Sequence, residues 1–237
     1  MTDLVWEESA GGASAAQQLV LWDWNGTLLD DVIYAMGVRN RVFPRFGLQT
    51  VETLEEYHHQ FTFPIRLYYG RAGVTDENFV AVAHAWMDEY VRGFEKVPLF
   101  ADATAALDAF ALAGCRQAVL SASQLTMLRQ QLSQTGILNR FDAVLGLSHI
   151  YATSKEDVGR DYIAGAGVEP KRCVMLGDTL HDAEVAEALG CRCVLIARGH
   201  QSRAALLTAG APVCDSLAEA VQAVLGRSLP KERRIDT

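Results

Sequence analysis

Short hydrophobic runs recur along the chain, separated by segments in which apolar residues repeat at helical spacing. Apolar runs of this length are typical of strands that are buried on both faces of a parallel sheet. They occupy residues 19–23, 117–121, 143–146, 173–177 and 192–197, with a weaker run at 212–214. We therefore predict a parallel sheet built from these segments.

The segments between the runs predict helices. Residues 101–113 are rich in alanine with apolar residues at helical spacing, and Gly114 follows as a helix C-cap would. Residues 124–134 carry Leu128 and Leu132 on one helical face. Strands that alternate with helices predict an α/β fold: a three-layer, doubly wound parallel sheet of the Rossmann-like kind, which binds ligands at the carboxyl ends of its strands.

A long insertion follows the first predicted strand. Residues 31–96 far exceed the roughly 10 to 15 residues of a crossover helix. Three parts of the insertion have helical periodicity, at residues 32–46, 51–69 and 77–94. We predict that residues 31–96 form a helical cap on a core of residues 19–30 and 97–226, with an N-terminal extension at 1–18 and a charged tail at 227–237.

Polar side chains follow the predicted strands at their carboxyl ends. In chain order they are Asp23 and Asn25 after the first strand, Ser121 and Ser123 after the second, Lys155 after the third, and Asp178 and Asp182 after the fourth. The carboxyl ends of parallel strands lie at one edge of a sheet, so we expect these residues to form one polar cluster.

The order of these residues resembles the motifs of the haloacid dehalogenase superfamily, over residues 19–223. The first family motif, Asp-x-Asp-x-Thr/Val, is similar to residues 23–27 (DWNGT), although asparagine stands at its second position. A serine or threonine closing the second strand matches Ser121, a later lysine matches Lys155, and Gly-Asp-x-x-x-Asp matches residues 177–182. The insertion resembles the helical cap of the phosphoglycolate phosphatase-like subgroup.

The resemblance implies a magnesium-dependent phosphatase. Asp23 would attack phosphorus and form an aspartyl-phosphate, which water then hydrolyses. Magnesium prefers oxygen ligands and usually takes one or two carboxylates. The resemblance assigns the ion to Asp23, Asp178 and the backbone carbonyl of Asn25, with Asp182 as a ligand through water or as an orienting group.

The resemblance also implies contacts to a small phosphorylated metabolite. The Ser121 hydroxyl would hydrogen-bond a phosphate oxygen, and Lys155 would offset the repulsion between a carboxylate and a phosphate. Thr27 and Ala122 are further implied substrate contacts. In the cap, Arg66 is the best candidate for recognising an anionic or hydroxylated group, whereas the aromatic residues around it are expected mainly to pack the cap.

Asparagine at position 25 replaces the acid that, in family phosphatases, protonates the leaving oxygen and later activates water. General acid–base catalysis contributes roughly 10²- to 10⁴-fold, so turnover would be slow or restricted to good leaving groups. Three explanations stay open: a hydrolase with a good leaving group or with His181 as substitute base, an engineered substitution, or a catalytically impaired protein that binds phosphate or regulates. In the first case, Asn25→Asp is expected to raise the rate on alkyl phosphates.

Two related chemistries are disfavoured by the sequence. Phosphonate-cleaving relatives need a cap lysine for a Schiff base, and residues 31–95 contain none. Dehalogenating relatives work without a metal, whereas this chain keeps both Asp178 and Asp182.

Composition narrows the choice of partners and location. The formal net charge of −8 and the pI near 5.2 argue against nucleic acid and anionic lipid as partners. The chain has no apolar stretch of membrane-spanning length and its first residues lack a signal-like segment, so we expect a cytoplasmic protein, as a monomer or homodimer. The spacing of Cys191 and Cys193 suggests a metal or redox role, but no second cysteine pair or histidine stands at zinc-ligand spacing.

Overall fold

A parallel sheet of six strands forms the centre of the protein. The computed structural model describes residues 18–147 and 155–226 of the 237-residue chain. The strands are β1 (Leu19–Trp22), β2 (Arg116–Gln124), β3 (Ala143–Leu147), β4 (Cys173–Gly177), β5 (Arg192–Ile196) and β6 (Val213–Cys214). They lie side by side in the order β3-β2-β1-β4-β5-β6. Every pair of neighbours is parallel, which confirms the predicted fold class.

Ten α-helices accompany the sheet within the described residues. They are α1 (Val32–Val42), α2 (Leu54–Gln60), α3 (Ile65–Arg71), α4 (Phe79–Gly93), α5 (Ala103–Leu112), α6 (Leu125–Gln134), α7 (Lys155–Ala166), α8 (Leu180–Leu189), α9 (Arg203–Leu206) and α10 (Leu217–Leu225). Helices α1–α4 lie between β1 and α5, where the sequence predicts a helical insertion. The segment 51–69 holds two helices instead of one, because Pro64 lacks an amide proton and stands directly before α3.

The sheet separates two hydrophobic cores, as alternation of side chains along a strand requires. Val20 and Trp22 of β1 face one core, which contains residues of α5, α6 and α10 and continues into the insertion. Leu19 and Leu21 face the other core, which contains residues of α7 and α8. These two helical layers and the sheet between them are the three predicted layers.

Strand β2 extends further than its hydrophobic run. The sequence places Ser121 and Ser123 after the strand, but β2 runs to Gln124 and contains both. Its pairing with β3 shifts register between Leu120 and Gln124, and Gln124 then pairs with Leu147. From Ala122 to Gln124 the strand no longer shows the fully buried pattern of residues 117–121.

Some predictions fall outside the described residues. The N-terminal extension, apart from residue 18, and the tail at 227–237 belong to this group, so their boundaries stay predictions. Among the helices of residues 18–147 and 155–226, none has the length and hydrophobicity that crossing a membrane requires.

Two leucines of α5 test the assignment of the core. Leu107 is fully buried, whereas Leu112 on the same helix is 83% exposed. We expect Leu107→Ala to lower the free energy of unfolding by about 2–5 kcal/mol, because it leaves a cavity in the core. Leu112→Ala should change it by less than about 0.5 kcal/mol. Urea unfolding monitored by circular dichroism would measure both, and equal losses would contradict this packing of α5.

Candidate active site

Three buried carboxylates meet at the carboxyl ends of β1 and β4. Asp23 directly follows β1, Asp178 directly follows β4, and Asp182 lies in the first turn of α8. Because β1 and β4 are neighbours in the sheet, their carboxyl ends bring Asp23 and Asp178 together. One ligand oxygen from each of the three acids lies within 4.8 Å of the others.

Lys155 holds two of these acids. Its Nζ donates to Asp23 Oδ1 and to Asp182 Oδ1, each at 2.6 Å. Its ammonium is buried, and although burial opposes the charge, the attraction of Asp182 and Asp23 raises the pKa of Lys155 above its usual value. One ammonium against three carboxylates leaves the cluster negatively charged when all four groups are ionised.

Burial, with repulsion between the acids as a smaller cause, raises the pKa values of two of them. Burial, followed by repulsion from Asp182, raises the pKa of Asp23 well above its usual value despite Lys155. Burial also raises the pKa of Asp178 to about 7. The pKa of Asp182 is lowered instead, because the attraction of Lys155 and several hydrogen bonds overcome the effect of burial.

Asp182 is fixed by the start of α8. Its Oδ2 accepts hydrogen bonds from the backbone amides of Asp178 (3.2 Å) and Thr179 (3.0 Å) and from the Thr179 hydroxyl (2.7 Å). Thr179 in turn accepts from the Asp182 amide, so the two residues form a capping box. Asp182 therefore orients Lys155 and the Asp178 loop at the same time.

Asp178 is enclosed by two loops that approach it through glycine. A Cβ atom at Gly26, where φ is +73°, or at Gly199 would collide with the Asp178 carboxylate. Asp178 Oδ2 accepts from the backbone amide of His200 at 2.5 Å, and Oδ1 accepts from the Thr27 hydroxyl at 3.2 Å. These contacts hold the carboxylate in one orientation.

The Asn25 side chain is held by three polar groups. Its Nδ2 donates to Asp31 Oδ2 at 2.8 Å and to the Tyr90 hydroxyl at 2.9 Å. The Tyr90 hydroxyl donates to the same Asp31 oxygen at 2.8 Å. Asn25 Oδ1 accepts from the Ser123 hydroxyl at 3.2 Å. Both amide protons are thus used, and the oxygen faces β2.

Asp31 and His200 form a buried ion pair that the sequence analysis missed. His200 Nε2 lies 3.2 Å from Asp31 Oδ1, which also accepts from the Gly26 amide at 2.8 Å. Burial alone would lower the pKa of His200, but Asp31 raises it to about 9. Conversely, His200 and the other hydrogen bonds lower the pKa of Asp31 in spite of its burial. Both shifts favour the charged pair, an imidazolium beside a carboxylate.

A signal for His200 was present in the sequence. It follows β5 at its carboxyl end, so the rule that found Asp23 and Asp178 also applies to it. The signal for Asp31 was weaker, because an acid directly before a helical segment is ordinarily a helix cap. In the structure the Asp31 side chain makes no capping hydrogen bond and is directed to His200 and Asn25.

The insertion closes over this edge of the sheet. The Tyr57 hydroxyl lies 2.8 Å from His200 Nδ1, and His58 Nε2 lies 2.9 Å from the Gly199 carbonyl oxygen. The Phe61 ring stacks on His200, with ring centroids 4.9 Å apart. Asp23, at the same edge, is only 8% exposed.

Three further predicted site residues, Ser121, Ala122 and His181, occupy different surroundings. Ser121 is buried and its Oγ accepts from the Ser123 amide at 3.1 Å, whereas Ala122 is exposed near the end of β2. His181 stacks on Phe63 at 4.8 Å between ring centroids.

Arg66 is not brought to the cluster. It pairs with Asp76, an exposed acid, and its guanidinium lies 4.2 Å from the centre of the Phe79 ring. The Arg66 side chain is 58% exposed. These contacts of Arg66 lie within the insertion, and its role in substrate recognition stays a prediction.

The acid cluster fits a divalent cation. Asp23, Asp178 and Asp182 are buried with oxygens within reach of one another, and the single ammonium of Lys155 does not neutralise them. Carboxylate oxygens are the ligands that Mg²⁺ prefers, and a doubly charged ion would offset the remaining negative charge. Among the described residues, this is the one group of three or more acidic, histidine or cysteine side chains whose ligand atoms lie close enough to share a metal ion.

Comparison with solved structures shows the same fold in several proteins. A protein from Clostridium acetobutylicum described as a predicted phosphatase is 20% identical, with a TM-score of 0.78 over 89% of this chain and 99% of that one. A predicted phosphoglycolate phosphatase from Haemophilus somnus is 17% identical, with a TM-score of 0.75 over 90% and 100% of the chains. Protein Tyrosine Kinase A from Mycobacterium tuberculosis is 25% identical, with a TM-score of 0.74 over 86% and 98%.

No curated protein matches the chain. The family model described as haloacid dehalogenase-like hydrolase matches residues 20–196, which include the whole acid cluster and most of the sheet. With the strand order and the motif positions already given, this match shows that the chain belongs to the haloacid dehalogenase-like hydrolase family.

Proposed function

We propose that this protein is a magnesium-dependent phosphatase that acts on a small phosphorylated metabolite through an aspartyl-phosphate on Asp23. One observation carries the proposal: Lys155 holds Asp23 Oδ1 at 2.6 Å inside a buried group of acids. The lysine fixes one carboxylate oxygen, and the second oxygen is then available to attack phosphorus. A fixed nucleophile loses little orientational freedom when it reacts.

Asp23 must be ionised to attack, although burial raises its pKa. Lys155 favours the ionised form, and it would also attract the phosphate oxygens and offset their repulsion from the carboxylate. The Ser121 hydroxyl, at the same edge of the sheet, would donate to one of those oxygens.

Asp23, Asp178 and the backbone carbonyl of Asn25 would hold Mg²⁺, which, when bound, neutralises charge on the phosphate. Thr27 and the His200 amide orient Asp178 through their hydrogen bonds. Asp182 has one oxygen on Lys155 and the other on the start of α8, so we assign it to orienting both. Thr27 likewise serves Asp178 in this proposal more than it serves substrate.

The Asn25 amide cannot protonate a leaving group, because a carboxamide is not an acid near neutral pH, and its two N–H groups donate to Asp31 and Tyr90. The leaving oxygen must therefore depart unassisted by this residue. We infer that the enzyme is selective for good leaving groups, such as aryl or acyl phosphates.

A second candidate is a protein that binds phosphate without turnover. The contacts of Asn25 favour this candidate, because a network that excludes an acid at position 25 also removes the usual activator of water. Release of phosphate separates the two candidates.

The nucleophile is tested by Asp23→Asn. We expect the wild-type protein to release phosphate from p-nitrophenyl phosphate only with added Mg²⁺, and the variant to lose at least about 10³-fold in rate, as loss of a nucleophile does. Asp161→Asn is the matched control, because Asp161 is exposed on α7, the helix that carries Lys155. A wild-type rate no greater than that of Asp23→Asn would reject the hydrolase and leave the phosphate-binding candidate.

The raised pKa of Asp178 predicts a pH dependence of Mg²⁺ binding. Its pKa of about 7 means that a proton must leave before the carboxylate can act as a ligand. We expect Mg²⁺ affinity to increase between about pH 6 and about pH 8 and binding to release protons. Calorimetry in two buffers with different ionisation enthalpies measures both effects. Asp178→Asn should weaken binding at each pH, and an affinity independent of pH would contradict the assignment.

The surroundings of Asn25 change the expectation for Asn25→Asp. A carboxylate there would stand where Nδ2 now donates to Asp31 at 2.8 Å. Repulsion and burial raise the pKa of such a carboxyl in the folded state, so the folded protein loses stability as pH rises through that pKa. We expect the single variant to be less stable than wild type, increasingly so towards neutral pH, with no gain in rate.

The exchange Asn25→Asp with Asp31→Asn restores one donor and one carboxylate to the pair. The double variant removes the repulsion at position 25 but leaves the buried His200 without its carboxylate partner, so we expect it to stay less stable than wild type. On an alkyl phosphate it should exceed the single variant by up to roughly 10²-fold for a restored acid. Thermal melts at three pH values and rates on glycerol phosphate measure the two effects. If the single variant alone is stable and fast, the Asp31 contact does not constrain position 25.

A further inference from the structure

Two cysteines lie side by side at the amino ends of β4 and β5, the opposite edge of the sheet from the acid cluster. Cys173 is the first residue of β4, and Cys191 directly precedes β5. The strands are parallel, with Val174 opposite Arg192. The preceding residues, Cys173 and Cys191, are therefore also neighbours across the two strands.

The two side chains point to the same face of the sheet. Cys173 belongs to the hydrophobic core on the α7 and α8 side, and Cys191 packs against that core. Neighbouring strands lie about 4.8 Å apart. That spacing falls within the roughly 4.4–6.8 Å between Cα atoms that a disulfide spans.

The thiols interact with each other and with a nearby cation. The hydrogen bond from Cys191 lowers the pKa of Cys173, and the charge of Arg192 lowers it further, although burial opposes both. The same contact with Cys173, together with burial, raises the pKa of Cys191. Cys173 is fully buried, whereas Cys191 is partly exposed. A small oxidant can therefore reach Cys191, with a second thiol directly behind it.

The geometry favours a dithiol over a metal site. In the described part of the chain no cysteine belongs to a group of three ligands with metal spacing. Cys193, which is close to Cys191 in the sequence, lies opposite Met175, two residues further along the strands. The partner of Cys191 is thus a residue 18 positions earlier in the chain, which spacing in the sequence does not indicate.

We propose that Cys173 and Cys191 form a redox-active pair that a peroxide converts into a reversible disulfide. One sulfur of the pair attacks a peroxide oxygen; the O–O bond breaks, that cysteine becomes a sulfenic acid, and the first water leaves with the thiol proton. The other sulfur then attacks the sulfenic acid sulfur, the S–O bond breaks, and hydroxide leaves as the second water with the proton of the second thiol. The two thiols lose two electrons and the peroxide is reduced to two waters.

The disulfide would join the ends of a segment that contains β4, Asp178 and α8. Closing a loop of this kind restricts the unfolded chain and stabilises the fold. The active-site cluster lies at the other end of β4, about 15 Å along the strand. We therefore expect oxidation to raise the melting temperature by several degrees while the contacts around Asp178 stay in place.

The experiment uses the full chain, reduced and then treated with hydrogen peroxide. Remaining thiols are alkylated in denaturant, and the digest is analysed by mass spectrometry without reduction. We expect a Cys173–Cys191 cross-link, two fewer alkylated cysteines, a higher melting temperature, and reversal of all three by dithiothreitol.

Serine variants of Cys191 and of the nearby Cys193 provide the controls. Cys191→Ser should abolish the cross-link and the rise in melting temperature, and Cys193→Ser should preserve both. Circular dichroism of the reduced variants checks that each is folded. The proposal is wrong if peroxide leaves every cysteine alkylatable, oxidises Cys191 to the sulfinic acid without a cross-link, or joins a different pair. None of these outcomes depends on phosphatase activity, so the two proposals fail independently.

Discussion

The ion bridge from Lys155 to Asp23 and Asp182 is the interaction on which the site depends. Removing one partner from a buried ion pair costs about 3–5 kcal/mol, because the other charge stays buried without compensation. Lys155 offsets only part of the charge of the three acids. Burial raises the pKa of Asp178, which has no contact with Lys155, to about 7. The fold therefore holds a negative site that a divalent cation would complete.

A second ion pair, between Asp31 and His200, connects the insertion to the same edge of the sheet. Asp31 opens the insertion and accepts from Asn25 and Tyr90, while His200 contacts Tyr57 through its other ring nitrogen. A neutral donor at position 25 suits an ionised Asp31, whereas a second carboxylate would not. Asparagine at this position is thus part of a connected network and matches its surroundings.

The strands and most of the cluster could be predicted from the sequence. Burial on both faces of a strand leaves a continuous apolar run, and the parallel arrangement fixes where the ends of the strands meet. Asp23, Lys155 and Asp178 were found by that rule. The direction of the Arg66 side chain could not be predicted in this way, because it is set by contacts to Asp76 and Phe79 that no periodicity encodes. The contact between Cys173 and Cys191 likewise depends on the register of β4 with β5, which the apolar pattern leaves open.

The balance of charge bears on the choice between hydrolysis and phosphate binding. A passive phosphate site is ordinarily cationic or rich in amide donors, because a phosphate carries negative charge. This site presents three acids and one lysine, and without a cation it would repel phosphate. An acidic excess is costly to bury and contributes nothing to simple capture, whereas a nucleophilic carboxylate beside metal ligands requires it. The arrangement of charges therefore favours a site built for reaction at phosphorus.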